Sequence, residues 1–113
     1  MAQATRVQLG SHVDYTPGAN VTAGDVVVQS ELVGVAERDI TSGELGAIAV
    51  DGVFDFAKAG AAGVVFAAGD LVYWDDTNNL AVTTSGAGAN KLIGKAVEAA
   101  ADADTTVRAK LDQ

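Results

Sequence analysis

Glycine breaks this chain every few residues: 13 glycines lie among 113 positions, and the stretches between them draw on 16 valines and 22 alanines. Short β-branched runs cut by turn residues favour strands, and a glycine inside a helix costs about 1 kcal/mol, so no long helix is expected. Residues 26–28 (VVV), 32–37 (LVGVAE), 44–51 (ELGAIAVD) and 52–58 (GVFDFAK) read as strands. So do residues 70–74 (DLVYW), 80–84 (LAVTT), 92–98 (LIGKAVE) and 105–111 (TTVRAKL). Gly24-Asp25 and residues 75–79 (DDTNN) are turn signals, residues 39–43 (DITSG) a hairpin connection and residues 85–90 (SGAGAN) a loop. Residues 57–62 (AKAGAA) allow one short helical turn. Gly34 stands where a neighbouring backbone could come close, and Val53 with Phe54 or Phe56 offers the large side chains of a core. The expectation is an all-β fold, a small β-barrel or β-clip-like domain over residues 23–113. Residues 1–22 alternate too briefly to make a core element (Thr5, Val7 and Leu9 against Arg6 and Gln8) and read as an extended N-terminal arm.

Two stretches echo each other. Ala23-Gly24-Asp25-Val26-Val27 recurs as Ala68-Gly69-Asp70-Leu71-Val72, and Leu32-Val33-Gly34-Val35-Ala36 recurs as Leu92-Ile93-Gly94-Lys95-Ala96. Both copies keep the order turn, strand, L-[VI]-G-x-A strand, polar break, last strand. The second copy carries an insert over residues 74–90. An internal duplication would explain this pattern; so would chance, in a chain so rich in alanine, glycine and valine.

Most chemistry is excluded by what the chain lacks. Without cysteine there is no disulfide scaffold, thiolate-bound zinc, iron–sulfur cluster or thiol nucleophile. A domain of this length buries roughly 65% of its unfolded surface and needs no such staple. His12 is the single histidine, which leaves a metal site or a histidine-based triad only carboxylates and hydroxyls to work with. Fifteen acidic against seven basic side chains give a net charge of −8, the wrong sign for binding free nucleic acid. Residues 59–69 are too short to span a bilayer, and residues 1–10 lack the order of a secretory signal, so neither a membrane nor export is expected.

The remaining candidates have ordinary readings. Asp70, Asp75, Asp76, Asn78 and Asn79 miss the spacing of a calcium loop. Residues 86–95 (GAGANKLIGK) lack the Gly-Lys-[Ser/Thr] ending of a phosphate-binding loop. No cofactor is expected and no enzyme. Tyr73 and Trp74 are adjacent in a strand, so one faces the core and the other can anchor an interface.

The series AGD at 23, LVGVA at 32, GVFDF at 52 with Lys58, AGDLVYWDD at 68 and LIGKAVEAA at 92 resembles the phage capsid cement, or decoration, protein family, over about residues 13–112. Tyr15-Thr16-Pro17-Gly18 fills the place of the turn that precedes the family's first strand. The resemblance implies a β-rich virion protein of a tailed phage, assembled in the host cytoplasm. It would bind the capsid exterior, commonly as a homotrimer, and stabilise contacts between major capsid proteins. Ala2, Thr5, Arg6, Val7, Leu9 and His12 of the arm, with Tyr15 and Trp74, are the candidate partner-binding residues. A small carbohydrate- or peptide-binding module, using Tyr73, Trp74 and the loop at 75–79, is the alternative.

Overall fold

A computed structural model describes residues 3, 11–60 and 63–111. Among these the chain is all-β, with nine strands: β1 (His12–Tyr15), β2 (Val26–Gln29), β3 (Leu32–Ala36), β4 (Gly46–Ala49), β5 (Gly52–Ala57), β6 (Leu71–Asp75), β7 (Leu80–Val82), β8 (Lys91–Ala96) and β9 (Thr106–Leu111). They form two antiparallel sheets, ordered β1-β4-β3-β2 and β5-β9-β8-β6-β7. Four residues of the segment expected as an arm, His12–Tyr15, are an edge strand paired with β4, His12 opposite Ala49 and Tyr15 opposite Gly46.

The two sheets are built alike, which supports the duplication. β1, β2, β3 and β4 correspond to β5, β6, β8 and β9, and β7 has no counterpart. Each copy enters its second strand through the same turn: Gly24 and Gly69 have φ of 93° and 94°, left-handed values that favour glycine. The Gly24 N–H donates to the Ala36 carbonyl at 2.6 Å, and that of Gly69 to the Ala96 carbonyl at 2.7 Å. Asp25 Oδ2 accepts from the Thr22 N–H at 2.9 Å, and Asp70 Oδ2 from the Ala67 N–H at 2.8 Å. Val21 and Ile40 form an antiparallel bridge, and so do Phe66 and Ala100.

The cores match position by position. Val13, Tyr15, Val21, Val27, Ile40 and Ile48 cluster on one face of the first sheet. Phe54, Phe56, Phe66, Val72, Ala100 and Ala109 hold the equivalent places in the second. Gly34 lets β3 and β4 close up, because a Cβ there would stand 2.6 Å from Ile48 Cδ1 and 3.0 Å from the Ala49 carbonyl. The other face of the first sheet, with Val26, Val28, Val33 and Val35, packs on the core of the second copy and joins the two units into one body.

Two expectations need correction. The second sheet does not close into a barrel: among the described residues its two ends are joined by a single parallel bridge, between Lys58, just after β5, and Ala81 of β7. Val53 is 55% exposed and Phe56 is buried, since residues two apart share a face and Phe54 and Phe56 take the inner one. Of the helical turn expected over 57–62, residues 61 and 62 lie outside the described residues; Ala57 ends β5.

Candidate functional site

Ala2, Thr5, Arg6, Val7 and Leu9 lie outside the described residues. His12 begins β1, and its Nε2 contacts Glu37 Oε1 at 2.5 Å with both side chains about half exposed. Ser11 Oγ is 3.4 Å from His12 Nδ1. Serine, histidine and glutamate are the residue types of a nucleophilic triad, yet the Ser–His contact is long and both His12 and Glu37 are about half exposed. Tyr15 is half buried against Val27, Ile40 and Ile48.

Trp74 is 4% exposed and lies in the core against Phe56, ring centroids 6.1 Å apart, so its neighbour Tyr73 takes the outer face. The indole Nε1–H donates to Asp76 Oδ1 at 3.3 Å, which satisfies its one polar atom. The following loop is bound up with itself. Asp75 Oδ1 accepts from the N–H groups of Thr77 and Asn78, and Oδ2 from the Asn78 side-chain amide. The Asn78 amide, then its backbone N–H, lower the Asp75 pKa below the usual aspartate value. This loop therefore presents turn chemistry rather than an aromatic platform for a sugar.

Charge on the outer face of the second sheet is arranged in pairs. Arg108 donates to Asp55 through Nε at 2.9 Å and to Glu98 through Nη1 at 3.2 Å, and Lys110 pairs with Asp51 at 3.0 Å. The Arg108 bond holds the Asp55 carboxyl below its usual value, and the Lys110 bond, with the Gly52 N–H, does the same for Asp51. Among the described residues no three side chains come together as metal ligands, and no helix is long and apolar enough to cross a membrane.

An open cleft of about 540 Å³ lies where the two copies meet. Val26, Val27 and Val28 of β2 form one wall, with Tyr15 and Asp25; Asp76 and Asn79 of the β6–β7 hairpin form the other. Among the described residues that line it, none is basic. Sequence reasoning identified β2 as a strand but not as an edge, because strand order is a long-range property that a triple valine does not encode.

Set beside known protein families, residues 7–111 match the model of the phage cement protein. The chain belongs to the phage cement protein family. The match runs from before β1 to the end of β9 and so takes in both copies of the duplicated unit and the inserted hairpin. It agrees with the resemblance carried by the AGD and L-[VI]-G-x-A stretches. Phage cement proteins are structural components associated with the capsid, which argues against an enzyme. No curated protein matches the chain, and no solved structure does.

Proposed function

We propose that this protein decorates the head of a tailed phage, binding the outer surface as a homotrimer and stabilising contacts between major capsid proteins. The family match over residues 7–111 carries this reading. The structure is compatible with it: two rigid β units offer wide surfaces, and a multi-point contact gains avidity from simultaneous engagement. Residues 1–22 carry the capsid-binding segment in this reading, Ala2, Thr5, Arg6, Val7 and Leu9 preceding His12 and Tyr15 of β1, the strand that fastens the segment to the body completed by residues 23–113. The role needs neither a cofactor nor nucleic acid nor membrane.

The test is to add purified protein to heads assembled without it. Co-sedimentation and a higher melting temperature of the heads are expected; heads that bind none and melt unchanged overturn the proposal. Light scattering of the free protein reads the oligomer directly, with three chain masses expected.

A further inference from the structure

One strand position is filled in the second copy and, among the described residues, has no counterpart in the first. β6 pairs with β8 on one side and with β7 on the other, Tyr73 opposite Val82 and Trp74 opposite Ala81. Among the described residues its counterpart β2 pairs with β3 alone and ends its sheet. Every second backbone N–H and C=O of β2 therefore points away from β3, and a row of this kind is a template for one more strand. The cleft runs along β2: Val26, Val27 and Val28 line it, and Asp76 and Asn79 face them. Its volume of about 540 Å³ suits a short peptide segment.

We infer that the open edge of β2 receives an extended segment of the capsid subunit, which pairs with Val26–Gln29 as β7 pairs with β6. The inference rests on the capsid-decoration reading and adds the place and the mode of contact. Main-chain hydrogen bonds supply affinity, and alternate side chains supply specificity. β7 shows the shape the position accepts, three residues of Leu-Ala-Val. Charge selects further: Asp25 and Asp76 line the cleft without a basic residue, so the incoming segment alternates apolar side chains with a lysine or arginine.

Hydrogen exchange on the intact protein, free and bound to heads assembled without it, reads the contact directly. The amides of residues 26–29 are expected to exchange about tenfold or more slowly on the heads. Val28→Pro removes a backbone donor from β2, and Asp76→Lys reverses the charge of the facing wall. Each is expected to weaken head binding about tenfold; the melting temperature of the free protein holds for Val28→Pro and falls for Asp76→Lys, which takes the acceptor from the Trp74 indole N–H, so binding is compared well below both melting temperatures. Should Val28→Pro fail to fold, Asp76→Lys and the exchange data decide. Head binding with unchanged β2 exchange, or undiminished by Asp76→Lys, overturns the inference and leaves the decoration reading standing. Failure to bind heads at all overturns both. Protection of β2 that grows with protein concentration without heads makes a second copy the occupant and overturns the assignment to the capsid.

Discussion

An ammonium group inside a protein survives only if its protons have acceptors, and Lys58 meets that condition with backbone alone. It is 3% exposed, and its Nζ donates to the carbonyls of Ala59, Ala101 and Asp104 at 2.9, 3.0 and 2.7 Å. The bonds tie the end of β5 to the loop before β9. Lys58→Ala leaves those carbonyls without a donor, and a loss of about 3 kcal/mol or more is expected in urea unfolding. Two surface aspartates make the stability of the fold depend on pH. Asp51 and Asp55 have lowered pKa values in the folded state, so the folded protein binds fewer protons than the unfolded chain. Their contribution is present above the ordinary aspartate value, about pH 4, and fades as pH falls through the lowered folded values. The urea midpoint is expected to drop between about pH 5 and pH 2, less steeply in Asp55→Asn.

Among the elements, legibility followed the range of the interactions. β2 to β9 were readable because each combines β-branched or aromatic residues with a glycine or Asx turn at its end, and such preferences act locally. β1 was missed because HVDY offers four residues whose strand character depends on Val13 and Tyr15 finding Ile48 and the first core. The AGD echo disclosed the duplication, since the same turn chemistry recurs where the same hydrogen bonds must form. The candidate site was not readable: alternation separated Tyr73 from Trp74 but did not say which faces in, and the vacancy beside β2 exists only through strand order. Close packing between elements makes its own demand at Gly34. Gly34→Ala sets a methyl against the Ala49 carbonyl, which belongs to the backbone and cannot swing away, and a cost of about 1–3 kcal/mol is expected by denaturant titration. Cutting the chain after Tyr15 removes β1 and uncovers Ile48, so a clear fall in melting temperature is expected of that truncation.

At the scale of the molecule the two copies are alike in plan and unequal in substance. The first closes around Val27, Ile40 and Ile48, whereas the second gathers Phe56, Phe66, Trp74 and Leu111 and is capped by β7. Native-state hydrogen exchange is therefore expected to find β1 and β4 opening at lower free energy than β8 and β9; equal protection would show that the shared interior couples them fully. The open edge of β2 also has a consequence before any particle exists to bind. A row of unpaired backbone groups beside three valines is an aggregation hazard while the protein accumulates. Asp25 precedes that row as a gatekeeper whose charge opposes edge-to-edge stacking of two copies. The net charge of −8 extends the same protection over the whole surface. The acidity that disfavours a phosphate backbone thus also sets two such edges against each other.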